Sequence, residues 1–375
     1  MRSLLFAAFC LFALEGARAQ VPQAPQIAAR AYYISDLTSG QVLAQHKADE
    51  RVEPASLTKL MTAYLVFAAM REHRLAPAQQ VQVSEHAWRA PGSRTFLEPG
   101  KRVSVDTLVR GMVVQSGNDA CVALAEALAG SEELFAQQMN REAARLGMLN
   151  TRFANATGLP HDQHYSTARD LALLAAALIR DFPREYARYY PLKEFRHNDI
   201  TQMNRNRLLW LDPSVDGMKT GFTEAAGYCL IASSARGERR LLSVVLGADS
   251  DAGRARESQK LLNWGYQFFD GVRLYEPGQE VKAIPVWKGE DQAVRAGFER
   301  GLVVTVPKGE AKRLAAEILT HPPVLAPVLK GDQVGVLRVA LDGQPLGEYP
   351  VVALKSVPQA GIFGRAWDTL RLWLK

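Results

Sequence analysis

Cysteine is scarce in this chain, three residues in 375. Cys10 falls in an apolar leader, and the spacing of Cys121 and Cys229 matches no metal-binding pattern, so neither a disulfide framework nor a zinc site has its usual signal. Two free buried thiols are expected, one in a predicted helix and one in a predicted strand, with a disulfide open only if the fold brings them together. Long runs of one charge are also missing. Lys and Arg total 45 against 39 Asp and Glu, a net charge of +6 without basic blocks. That pattern withdraws support from nucleic-acid binding and suits a surface facing anionic lipid or a carboxylate-bearing substrate. With 47% hydrophobic and 22% charged residues the chain is neither disordered nor a multi-span membrane protein, and its length allows two domains.

The first residues carry Arg2, an apolar run over 4–14 too short to span a bilayer, and Ala17-Arg18-Ala19. This reads as an export signal over 1–19, cut after Ala19. Strands are predicted over 31–36 and 41–46, joined by a turn at Thr38-Ser39-Gly40. The stretch 84–100, broken by Pro91, Gly92, Pro99 and Gly100, reads as a loop. Helices follow with caps at Ser104, Ser131 and Ser166-Thr167. Two more strands are expected over 227–234 and 240–247, then an amphipathic helix over about 255–269. Strand pairs on either side of a helical block predict one antiparallel sheet built from both ends of an α+β domain. Beyond Gly271, short Val-rich runs separated by Gly and Pro predict a second, small β domain with a hairpin turn at Leu341-Asp342-Gly343. The last residues place Ile362, Phe363, Ala366, Trp367, Leu370, Trp373 and Leu374 on one helical stripe, a pattern suited to lying on a membrane surface rather than crossing it.

Chemistry concentrates in three short motifs. Pro54 and Ala55 place Ser56 at a helix start, with Lys59 at i+3 on the same face. Ser becomes a nucleophile only beside a base, and Lys serves as that base only if burial or a second cation lowers its pKa from ~10.4 toward ~7–8. Ser116-Gly117-Asn118 lies in a short break between two helices, where a hydroxyl and an amide can point into one cleft. Lys219-Thr220-Gly221 lies on or beside the sheet, offering a positive charge, a hydroxyl and room for a close backbone approach. Taken singly, each is also an ordinary cap, turn or strand start. His161 and His164 have metal-compatible spacing without further ligands nearby, and read as exposed loop histidines.

The three motifs, once each and in this order, resemble the signature of the serine acyl-transferases that recognise penicillin. With Asp119-Ala120-Cys121, Asn204-Arg205-Asn206, Asp216-Gly217-Met218 and Trp264-Gly265, the chain resembles the low-molecular-mass D-alanyl-D-alanine carboxypeptidases over essentially its mature length. The resemblance implies an α+β fold: a β-lactamase/transpeptidase-like domain over 20–271, a β-rich domain over 272–359 and an amphipathic anchor over 360–375. It implies Ser56 as the acylated nucleophile, Lys59 as its base, Ser116 as proton shuttle, and Asn118 as the group that positions the substrate amide. Lys219, with Thr220 and Gly221, would meet the substrate carboxylate and help keep Lys59 neutral. Arg205 and Arg254 are secondary carboxylate candidates, each with a surface ion pair as the alternative.

The implied partners are stem peptides ending in D-Ala-D-Ala, β-lactams and the outer face of the cytoplasmic membrane, without cofactor, metal or nucleic acid; a homodimer is left open. Phe222 departs from relatives that carry a polar residue after Lys-Thr-Gly, which bears on substrate preference and deacylation. A β-lactamase shares the trio, but no Glu-containing loop of the type that activates its deacylating water is evident between Asn118 and Lys219. A non-catalytic wall-binding scaffold would not require the Ser56, Lys59 and Lys219 set.

Overall fold

The structure, a computed structural model, describes residues 23–320 and 323–373. The export signal expected over 1–19 therefore lies outside the described residues, as does Leu374 of the terminal stripe. The chain divides into two compact units, one of Gln23–Gly271 and one that includes Val272–Lys375.

In the first unit, strands β1 (Ala31–Asp36), β2 (Gln41–His46), β3 (Val215–Thr223), β4 (Gly227–Arg236) and β5 (Arg239–Ala248) form one antiparallel sheet in the order β2-β1-β5-β4-β3. The two ends of the unit meet at β1 and β5, where Tyr33 pairs with Val244. Side chains alternate along β5 as the pleat requires. Leu242, Val244 and Leu246 join the helical core, while Leu241 and Val245 pack with residues of the helix α5 (Asp251–Phe268). Because both faces are covered, β5 reads as a continuous apolar run.

Between β2 and β3 lie α1 (Lys59–Arg71), α2 (Val105–Val114), α3 (Asn118–Ala129) and α4 (Ala168–Asp181). Helix α1 is buried on nearly every side, including Lys59, Leu60, Met61, Thr62 and Tyr64, as expected of a helix at the centre of a core. The predicted caps operate. Ser104, Ser131 and Thr167 each accept a backbone N–H three residues on, from Thr107, Leu134 and Asp170. Helix α5 starts a turn earlier than its apolar pattern indicates, because Ser250 accepts the Gly253 N–H and so admits a polar first turn. The stretch read as a loop at 84–100 contains a short helix, Glu85–Arg89, for the same reason: Ser84 accepts the Ala87 N–H.

The second unit holds a six-stranded sheet, in the order Leu314–Leu319, Gln333–Leu341, Gln344–Ala353, Ala293–Gly297, Glu280–Trp287 and Val324–Leu325. Its own core includes Val304, Val306, Leu337 and Val351. Asp342 and Gly343 take φ of +50° and +76° in the turn between two of these strands, the left-handed pair that a tight hairpin favours. A helix, Ile362–Trp373, follows. Asp368 accepts the Lys288 N–H at 2.6 Å and Arg371 lies 5.7 Å from the Trp287 ring, while Ile362, Phe363, Trp367 and Trp373 are exposed. Among the described residues no helix is long and apolar enough to cross a membrane.

Candidate active site

Pro54 ends the approach to the site, and Ala55–Thr58 forms a 3-10 turn that passes directly into α1 at Lys59. The turn brings Lys59 Nζ to 2.9 Å from Ser56 Oγ, to which it donates, and a second donated bond of 2.5 Å to the Thr157 carbonyl holds the amine in place. Lys59 is 1% exposed. Burial pushes its pKa down to about 8; the Cys121 thiol opposes this and the Arg205 guanidinium adds to it.

The turn itself is braced from two sides. Gly158 lies so close that a Cβ there would fall 1.8 Å from the Ala55 carbonyl oxygen. Gly221 of β3 likewise faces Ala55, Pro54 and Leu57, so the close approach it permits is to this turn.

Ser116 and Asn118 occupy the break between α2 and α3. Ser116 has φ of +67°, a left-handed conformation that an L-residue adopts at some cost in strain. Its Oγ and the Asn118 Oδ1 are buried without a hydrogen-bond partner among the described residues, although both residues line the same cleft. Unpaired buried polar atoms are rare, and their convergence marks a place where a ligand's polar groups can complete the bonding. Asn118 is held by its Nδ2 bond to the Pro91 carbonyl and its N–H bond to the Ser93 carbonyl. The facing loop is pinned by Asp119. Its carboxylate accepts the N–H groups of Thr95 at 2.8 Å and Leu97 at 3.1 Å, and that of Ala120 at the start of α3.

Across the cleft, β3 supplies Lys219, Thr220 and Gly221 at the sheet edge. Lys219 is buried and donates to the Thr220 carbonyl; burial, then Lys59, holds its pKa well below the usual lysine range. Lys59 thus bears on Lys219, and Arg205 is the cation that bears on both lysines. Arg205 is exposed, lines the cleft and makes no ion pair among the described residues. Arg254 is buried, donates to the Gly221 carbonyl at 3.0 Å and pairs with Asp251. It too lines the cleft, so the geometry unites all nine sequence-predicted residues, with Lys59 and Lys219 beneath a cavity of about 710 Å³.

One expectation fails. His164 is not an exposed loop histidine but is buried against the Ala55–Thr58 turn, its Nε2 2.8 Å from Thr58 Oγ1. Its Nδ1 accepts the Ala154 N–H at 3.3 Å, so the proton sits on Nε2 and is donated to Thr58. Burial pushes its pKa down to about 4, which keeps it neutral. His161 is exposed, as expected. Nothing in the local sequence announces the Thr58–His164 bond, the Thr157 carbonyl or the Gly158 contact, because each depends on a loop about a hundred residues away.

An antiparallel sheet covered on both faces, with a Ser–Lys pair under one edge strand, defines a penicillin-recognising serine acyl-transferase. Residues 18–250 match the family described as D-alanyl-D-alanine carboxypeptidase, and residues 269–359 match the C-terminal domain of penicillin-binding protein 5. The chain is 45% identical over 357 residues to D-alanyl-D-alanine carboxypeptidase DacC of Escherichia coli (strain K12), covering 93% of this chain and 89% of that protein. It is 42% identical to DacA of the same strain, covering 95% and 90%. Penicillin-binding protein 5 from Haemophilus influenzae, a solved structure, superposes with a TM-score of 0.84 at 39% identity, covering 90% of this chain and all of that one.

The chain belongs to the D-alanyl-D-alanine carboxypeptidase family, serine peptidases of the low-molecular-mass penicillin-binding proteins. These matches favour neither a β-lactamase nor a non-catalytic scaffold.

Proposed function

We propose that Ser56 is the residue acylated when this carboxypeptidase removes the terminal D-alanine from stem peptides ending in D-Ala-D-Ala. The observation that carries the reading is the 2.9 Å contact of a buried Lys59 amine, held near a pKa of about 8, with Ser56 Oγ. Lys59 takes the Oγ proton as Oγ bonds to the carbonyl carbon of the penultimate D-Ala. Ser116 relays a proton to the leaving nitrogen, the C–N bond breaks, and water then hydrolyses the ester. The Ser56 N–H, in the first turn of a helical segment and so without an acceptor inside it, is placed to stabilise the oxyanion.

Asn118 holds the substrate amide, and Lys219 and Thr220, with Arg254 and Arg205, receive the terminal carboxylate. Burial disfavours the charged form of Lys219, and an arriving carboxylate reverses that bias, so substrate binding restores the charge it needs. Gly221 keeps β3 seated on the nucleophile turn.

The same reading has the protein exported by residues 1–19, with a catalytic domain over 20–271, a β-rich domain over 272–359 and an anchor over 360–375. It works on the periplasmic face of the cytoplasmic membrane, where β-lactams inhibit it. The exposed Phe363, Trp367 and Trp373, with Arg365 and Arg371 nearby in sequence, support the anchor. A homodimer on that surface is compatible with a peripheral anchor.

The test is an intact-mass time course after a pulse of benzylpenicillin. A single adduct that persists for minutes and is absent from Ser56→Ala is expected. Consumption of drug with clearance in seconds would reverse the choice in favour of a β-lactamase.

A further inference from the structure

Every charged side chain lining the cleft comes from two neighbouring segments: Arg205 and Arg207 from one, Asp251 and Arg254 from the other. The lining outside these segments, including Gly92, Ser93, Asn118 and Leu159, is an uncharged wall. Asp251 is the sole anion of the charged wall and is shared, with one oxygen on Arg254 and the other 3.8 Å from Arg207. Arg205 has no ion-pair partner among the described residues. Three guanidiniums therefore face one carboxylate, a surplus of two positive charges (3 − 1) before Lys219 is counted. Burial lowers the pKa of Arg254; Asp251 opposes this and Arg205 adds to it.

This wall adjoins Lys219 and Gly221, so in the proposed reaction it faces the residue that leaves. A D-alanine carries a single carboxylate, which Lys219, Arg254 and Arg205 receive in that reaction. Arg207 is half exposed and tied only loosely to Asp251, so its charge remains for a further anion.

We infer that Arg207 makes the leaving-group end of the cleft a site for a second carboxylate. The enzyme accordingly cleaves D-alanyl bonds to leaving residues that are dicarboxylates as well as to D-alanine. This rests on the proposed orientation of substrate and makes Arg207 a specificity-determining residue. The scissile step is unchanged: the D-alanyl C–N bond breaks, the ester forms on Ser56, and the dicarboxylic amine leaves with the proton that Ser116 delivers.

The experiment compares kcat/KM for three peptides identical except in their last residue: D-Ala, D-Glu and D-Gln. D-Glu and D-Gln match in shape and differ in one charge. A D-Glu to D-Gln ratio of about fivefold is expected at low salt, the range of a partly exposed ion pair. It should fall toward one as added salt shortens the screening length from ~10 Å at 0.1 M to ~3 Å at 1 M. Arg207→Gln should bring the ratio to near one and Arg207→Lys should retain most of it; being a ratio, it is insensitive to any general loss of activity.

Equal rates on D-Glu and D-Gln in the native enzyme, or a preference that survives Arg207→Gln, would overturn the inference, as would cleavage of the D-Ala peptide alone. Failure to cleave the D-Ala peptide would instead overturn the carboxypeptidase reading beneath it.

Discussion

As the proposed base, Lys59 must lose its proton before it can take one. Its pKa is lowered from 10.5 to about 8, so the free base dominates only above that pH. Below it, the reactive fraction falls tenfold per pH unit. The acylation rate with a fluorescent penicillin should therefore climb roughly tenfold from pH 6 to 7 and level off above about 8. A rate that is flat over this range would mean Lys59 is not the proton acceptor. Ser116, by contrast, shows its significance through what it lacks. A left-handed φ and an Oγ unbonded among the described residues, in one residue, amount to local stability given up for position.

At the scale of elements, the 3-10 turn Ala55–Thr58 is held where the Thr157-Gly158 loop and β3 meet it. Gly158 has φ of +83° and no room for a methyl group. Gly158→Ala should cost at least about 1–2 kcal/mol from backbone conformation alone, read as a lower melting temperature. It should also slow acylation more than tenfold, because the clash falls on the carbonyl before Ser56. A variant that melts lower but acylates at the native rate would show the turn to be less exacting than this.

What could be read from residues alone divides along the same line. The strands 31–36 and 41–46 and the caps at Ser104, Ser131 and Thr167 were legible because alternation and N-caps are local signals. The hairpin Glu194–His197 with Ile200–Met203 was not, since its short strands are mostly exposed and Asn198 and Asp199 supply a turn without glycine. His164 was misread because its partner Thr58 stands 106 positions away, and burial by a distant turn leaves no periodic trace. The trio Ser56, Ser116 and Lys219 was legible only as a constellation. Its members are common residues, and their convergence is a property of the fold.

At the scale of the whole molecule, each unit has its own core, and all nine sequence-predicted site residues belong to Gln23–Gly271. Activity in solution should therefore be insensitive to loss of the terminal helix. Deleting residues 361–375 should leave penicillin acylation within about twofold while abolishing co-sedimentation with anionic vesicles. Equal sedimentation of both forms would place the lipid contact, if any, elsewhere.

The Asp119 clamp bears on how such an enzyme can change over generations. It grips the 93–97 loop at the backbone N–H groups of Thr95 and Leu97, so the side chain of Ser93, which lines the cleft, takes no part in that grip. Substitutions there can redraw the uncharged wall without displacing Ser116 or Asn118. New substrate tastes, or reduced affinity for a drug, are thereby open to single mutations that leave the acylation machinery intact.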